Sequence, residues 1–128
     1  MATKTIIKPA GAPAAVGPYN QAVRIGDLLY CSGQIPINPA DPKAALPEDI
    51  KAQTLQVIQN IKAILQDQGL TTDNVVKTTV FMVNLAQFAD MNSIYAEHFG
   101  PNYPARSTIQ VAALPLGASV EIEVIAHY

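Results

Sequence analysis

Charge is scarce in this sequence. Asp, Glu, Lys and Arg make up 14% of the 128 residues, against about 25% in ordinary soluble domains. Eight cations face ten anions, for a net charge of -2. Nothing here resembles the basic footprint of a protein that tracks a phosphate backbone. A single cysteine, Cys31, excludes an intrachain disulfide framework and fits a reducing compartment. The two histidines, His98 and His127, lie far from each other and from Cys31, with no paired metal-ligand spacing. A glycine-rich phosphate loop and a dinucleotide fingerprint are both missing. No apolar run approaches the ~18 residues needed to span a bilayer. The start, Met1-Ala2-Thr3-Lys4, lacks the apolar stretch of a leader. The expectation is a cytoplasmic protein that uses no metal or organic cofactor and has neither membrane nor nucleic acid as a partner.

What is present is apolar. Hydrophobic residues fill 49% of the chain, and its length suits one domain, residues 1–128, whose core needs neither metal nor disulfide. So little polar covering on a small globule points to further surface buried between copies.

Residues 4–8 read as a short strand, and Pro9, Gly11, Pro13, Gly17 and Pro18 make 9–18 a loop. Strand-rich runs at 21–25 and 28–32 flank Gly26-Asp27, a hairpin turn. Pro36, Pro39, Pro42 and Pro47 hold open a segment that is either functional or mobile. Pro47-Glu48-Asp49 opens a helix with acids in its first turn. Its apolar side carries Ile50, Val57, Ile58, Ile61, Ile64 and Leu65, and Gly69 ends it. Residues 75–85 read as a strand apolar on both faces. Asn84 and Gln87 have capping-box spacing for a second helix, whose stripe of Phe88, Met91, Tyr95 and Phe99 is assigned to the core. Strands over 105–113 and 120–127 follow. The order β-β-β-α-β-α-β-β predicts an α+β fold, one mainly antiparallel sheet with two helices covering one face. Its other face still carries apolar residues, and another copy of the chain is the candidate cover.

Few residues offer chemistry. Cys31 lies in a strand with no basic neighbour to activate it and reads as a small buried residue. His98 falls in the last turn of the second helix, where an imidazolium meets the dipole favourably. His127 reads as surface. Ser32 and Ser107 have no histidine partner in a recognisable motif. Arg106 and Glu121 stand among small and apolar neighbours. Glu121 and Glu123 share one face of their strand, opposite Val120, Ile122 and Val124. A solvated face accounts for such acids, and a surface ion pair for Arg106. The alternative makes Arg106 an anion clamp, because guanidinium grips a carboxylate through two parallel bonds.

At these residues the sequence resembles the RidA family, the reactive-intermediate (enamine/imine) deaminases, also called endoribonuclease L-PSP or YjgF-type. Four blocks carry the resemblance: Gly17-Pro18-Tyr19-Asn20-Gln21, Ser32-Gly33-Gln34-Ile35-Pro36, Thr79-Val80-Phe81 through Phe88, Met91-Asn92 and Tyr95, and Pro104-Ala105-Arg106-Ser107 through Val120-Glu121-Ile122-Glu123. They occur in family order over nearly the whole chain.

The resemblance implies a chorismate-mutase-like fold, a homotrimer whose sheets pack into a central barrel, and sites in the clefts between subunits. It also implies hydrolysis of 2-imino acids such as 2-iminobutanoate and 2-iminopropanoate, made by PLP-dependent dehydratases, to 2-keto acids and ammonia without a cofactor. By the same resemblance Arg106 binds the substrate carboxylate and Glu121 positions and activates water. Tyr19 closes one side of the site, Ser32 and Gly33 line it, Asn92 stands near the cleft, and the Thr108 backbone N–H gives a further donor. Many relatives carry cysteine where this chain has Thr108, which argues against a required thiol. The rival readings are an endoribonuclease, which the charge balance disfavours, and a non-catalytic sensor of small keto or imino acids.

Overall fold

The computed structural model describes residues 3–128. Met1 and Ala2, half of the Met1–Lys4 start that lacks the apolar stretch of a leader, lie outside the described residues. Six strands form one sheet: β1 (Thr5–Ile7), β2 (Ala22–Ile25), β3 (Leu28–Gln34), β4 (Val75–Met82), β5 (Ala105–Gln110) and β6 (Val120–His127). Their order across the sheet is β1-β2-β3-β6-β4-β5. Every pairing is antiparallel except β4 with β5, which are joined through a helix and run parallel. β5 and β1 are therefore the free edges.

Both helices, α1 (Ile50–Asp67) and α2 (Phe88–Phe99), pack on one face of this sheet. All six residues of the predicted α1 stripe are buried, against sheet residues including Leu29, Val80, Ile122 and Val124. The predicted α+β architecture and element order hold. Gly69, at φ +71, ends α1 in the left-handed region that an L side chain adopts only under strain.

Several local expectations are corrected. The first turn of α1 holds no acid, because Asp49 is itself the N-cap and accepts from Ala52 N at 3.1 Å. The strand expected over 75–85 ends at Met82. Beyond it the Asn84 side chain accepts from Ala86 N and caps a 3-10 turn, Leu85–Gln87, so α2 begins only at Phe88. The strand expected over 105–113 ends at Gln110.

The proline-rich segment after β3 is tied down by two buried polar residues of α1. Asn60 Nδ2 donates to Ile35 O and Ile37 O, at 3.2 and 2.9 Å. Gln53 Nε2 donates to Pro47 O at 2.7 Å, while its Oε1 accepts from Ser119 N. On the face away from the helices, Ile6, Val23, Tyr30, Ile125, Phe81 and Ile109 remain partly or largely exposed. The apolar second face inferred from the sequence is thus present and uncovered in the single chain.

Candidate active site

Arg106 lies on β5 opposite Thr78 of β4. Thr78 faces the helices, so Arg106 does too, and its side chain runs under α2. Arg106 Nη1 donates to Asn92 Oδ1 at 2.7 Å. Its Cζ stands 4.6 Å from the Tyr95 ring centroid and 5.4 Å from that of Phe88. One hydrogen bond and two aromatic faces therefore hold a half-buried cation that no carboxylate neutralises among the described residues. A guanidinium so placed keeps its remaining N–H donors for an incoming anion.

β5 adds backbone donors. Val111 N donates to Met82 O at 2.8 Å. Alternation along the strand then turns the Ser107 and Ile109 peptide groups towards β4 and those of Arg106, Thr108 and Gln110 outward. The Thr108 N–H is thus presented at a free sheet edge, two residues from the guanidinium. Thr108 Oγ1 is buried without a hydrogen-bond partner.

Glu121 belongs to β6 and pairs with Phe81. Val120 and Ile122 point into the core, so Glu121 projects from the uncovered face. Its carboxylate lies directly over Gly33, where a Cβ would overlap Glu121 Oε2. Ser32 and Gly33 sit where the β3–β6 register shifts, so the close approach has both a bulge and a residue without a side chain to allow it. Burial, with Glu123 adding like charge, pushes the Glu121 carboxyl above its ordinary value, and among the described residues no cation or hydrogen-bond donor offsets this.

Tyr19 reaches the same neighbourhood through the backbone. Ser32 Oγ donates to Asn20 O at 2.5 Å, and Ser32 N to Gln21 O at 2.9 Å. Gln21 is buried, and its Nε2 donates to Pro9 O, Ala12 O and Pro13 O, gathering the proline–alanine loop around one amide. Half-exposed Tyr19 borders a concavity of about 480 Å³ formed by that loop.

The predicted site residues therefore fall into two groups. Arg106, Asn92 and Thr108 gather beneath α2 at the β5 edge; Glu121 and Gly33 meet across β6 and β3 beside Ser32. Arg106 and Glu121 face opposite sides of the sheet, and Tyr19 is linked to the second group only through the backbone of Asn20 and Gln21, its ring bordering the loop concavity. Sequence reasoning missed Phe88 and Tyr95 as the aromatic bed of Arg106, having assigned both to core. Tyr95 is buried, but Phe88 is 37% exposed, which corrects its placement. Residues 88, 92 and 95, spaced i, i+4 and i+7, share a helix face, and that was the available signal.

The remaining candidates stay structural. Cys31 is buried and its thiol is pushed up to about 12, far from a reactive thiolate. The imidazolium expected at His98 is overturned: Lys62 Nζ lies 2.7 Å from its Nδ1, and burial with that cation lowers its pKa. His98 is a neutral acceptor. His127 is exposed, as expected. Among the described residues no group of acids, histidines and cysteines is placed to hold a metal, and no helix is long and apolar enough to cross a membrane.

The fold and these two groups define a small α+β sheet protein with an arginine held at one sheet edge by an asparagine and two aromatic rings. The chain matches the family described as Endoribonuclease L-PSP over residues 9–128. It is 50% identical over 125 residues to a RutC family protein of Haemophilus influenzae, covering 94% of this chain and 95% of that one. Among solved structures, a conserved Rid-family protein from Yersinia pestis superposes with a TM-score of 0.94 at 50% identity, covering 98% and 100% of the two chains. RidA from the Antarctic bacterium Psychrobacter sp. superposes with 0.91 at 44% identity, covering 97% and 99%. The chain belongs to the Rid/L-PSP family, the family of RidA and YjgF.

Proposed function

We propose that this protein is a cytoplasmic 2-iminobutanoate/2-iminopropanoate deaminase. It hydrolyses the enamine/imine products of PLP-dependent dehydratases to 2-keto acids and ammonia without a cofactor. The observation that carries this reading is the Arg106–Asn92 clamp, a held cation with free donors beside an outward backbone N–H. It is complementary to a small planar carboxylate.

In the proposed reaction Arg106 and the Thr108 N–H bind the carboxylate and leave the C=N carbon exposed. Ionised Glu121 takes a proton from water as the water oxygen adds to that carbon, giving a carbinolamine. Glu121 then returns the proton to the nitrogen. The C–N bond breaks, its electron pair leaves with ammonia, and the hydroxyl proton is released as the C=O bond forms. A carboxyl raised by burial suits both halves of this shuttle. Orientation and one proton relay suffice, because a protonated imine is already electrophilic.

The same proposal includes a homotrimer with sites between copies. The uncovered apolar face supports association, and the separation of the Arg106 and Glu121 groups supports a site completed by a neighbour. In a ring, each copy offers one surface to each neighbour. Tyr19 would then close the site from the Glu121 side.

The test generates a 2-imino acid in situ with a PLP-dependent dehydratase and traps it with semicarbazide. Wild type is expected to suppress semicarbazone formation, and Arg106→Ala is not. No suppression by wild type with serine- or threonine-derived imines overturns the deaminase and leaves a sensing role. Strongly salt-dependent RNA binding would instead favour the endoribonuclease of the family's description. Sedimentation as a monomer at micromolar concentration overturns the shared site.

A further inference from the structure

Buried on the helix side of the sheet, Thr78 Oγ1 and Tyr95 OH lie 2.8 Å apart. Their residues are 0% and 3% exposed. Packing alone would be served as well by phenylalanine, which brings no hydroxyl to desolvate. The pair satisfies both hydroxyls and fixes the direction of the ring. Phe99 fixes it further, with centroids 4.4 Å apart and planes at 29°. That immobilised ring carries the Arg106 guanidinium, 4.6 Å from its centroid.

Arginine has many rotamers, and an anion that must order it loses affinity to that cost. Asn92 restrains one end of the fork through Nη1. Phe88 is the looser aromatic neighbour, at 5.4 Å and partly exposed.

We propose that Tyr95 is a positioning residue for Arg106: Thr78 anchors its hydroxyl, and its ring sets the height and tilt of the guanidinium before the carboxylate arrives. The inference rests on the reading of Arg106 as a carboxylate clamp. Tyr95 acts only through Arg106 and touches no substrate. Burial raises its phenol pKa despite the opposing effects of Thr78 and Arg106, so the hydroxyl stays protonated at neutral pH.

The experiment compares wild type, Tyr95→Phe, Tyr95→Leu and Thr78→Val, each with and without Arg106→Ala. Binding of the unreactive product 2-oxobutanoate is measured by calorimetry, and KM and kcat in the imine assay. Tyr95→Phe and Thr78→Val are expected to raise Kd and KM about three-fold, and Tyr95→Leu about ten-fold, with kcat changed by less than about two-fold. In the Arg106→Ala background these substitutions should change nothing further. Unchanged binding in the single variants, or the same loss with Arg106 absent, overturns the inference.

A second readout needs no substrate. Arg24 is the only other arginine in the chain, so the Arg106 Nε–H resonance is readily assigned by NMR. It should carry a ring-current shift in wild type that shrinks markedly in Tyr95→Leu, where only the more distant Phe88 ring remains. An ordinary shift in wild type overturns the positioning role. If wild type neither binds 2-oxobutanoate nor hydrolyses imines, the clamp reading falls, and this resonance alone decides whether Tyr95 positions the guanidinium. Should Tyr95→Leu fail to fold, Tyr95→Phe and Thr78→Val carry the comparison.

Discussion

Arg106 and Glu121 stand on opposite faces of one sheet, two strands and three residues of register apart. With strands about 4.8 Å apart and a rise of about 3.3 Å per residue, their Cα atoms are separated by about 14 Å before the side chains diverge. A three- or four-carbon acid cannot bridge that gap within one copy. If the groups act together, one copy must supply the cation and its neighbour the carboxylate. Arg106→Ala and Glu121→Gln should therefore complement each other. Mixed by reversible denaturation in equal amounts, two nearly inactive variants should recover about one quarter of wild-type activity, since each site draws one intact half from each of two neighbours. No recovery in verified mixed assemblies would show that the two groups do not share a site across copies.

Loss of the clamp itself should be costly. Arg106→Ala removes a charge-assisted bidentate contact and should lower kcat/KM by at least ~2 kcal/mol with the assembly unchanged. Asn92→Ala leaves the charge and removes only the 2.7 Å restraint, so its effect should be smaller, about 1 kcal/mol, and expressed mainly in KM. Steady-state kinetics on both variants, with sedimentation as control, checks this order.

Gly33 is a steric requirement. A methyl group there would overlap the Glu121 carboxylate, so Gly33→Ala must push that carboxylate aside. Displacing a catalytic group by about 1 Å costs on the order of 100-fold in rate. kcat should fall by about that factor while binding of 2-oxobutanoate, which the proposal assigns to the Arg106 group, changes little. Equal loss of both would make Gly33 a folding residue.

The element order was legible because helix and strand periodicities are local, and the α1 stripe of Ile50 to Leu65 is buried as its spacing implied. What escaped depends on partners distant in sequence. Nothing local marks Gln53, Asn60 and Gln21 for burial, yet each is buried to satisfy loop carbonyls, Asn60 those of Ile35 and Ile37. His98 was misread because burial and then Lys62, a residue of the other helix, lower its pKa. Phe88 and Tyr95 fit a core stripe equally well until β5 brings Arg106 beneath them. Periodicity marks a face without naming what packs against it.

Thr108 separates backbone from side-chain effects. Its Oγ1 is buried without a partner, so Thr108→Val should be neutral or stabilising by up to about 1 kcal/mol. Catalysis should persist, since the outward N–H remains. Thr108→Pro removes that N–H at an edge position where the ladder does not use it. Its thermal stability should stay near wild type while Kd for 2-oxobutanoate rises about five-fold, the worth of one hydrogen bond. Unchanged affinity would remove Thr108 from carboxylate binding.

In the proposed mechanism Glu121 carries the pH dependence. Its carboxyl is raised by burial and by Glu123, so over the window from the ordinary glutamate pKa up to the raised one the folded chain holds more protons than the unfolded chain. Stability contributed by this group is fully present below that window and is lost as pH rises through it. Glu121→Gln removes a penalised charge and should raise Tm at neutral pH, with the gain fading below the window. Activity should move the other way. The water-activating form is the carboxylate, so wild-type kcat/KM should climb through the same raised pKa, and Glu121→Gln should lose both the climb and most turnover. Thermal melts and pH–rate profiles on one pair of proteins test both signs. A variant less stable at neutral pH, or one that keeps the wild-type profile, would remove Glu121 from the proton relay.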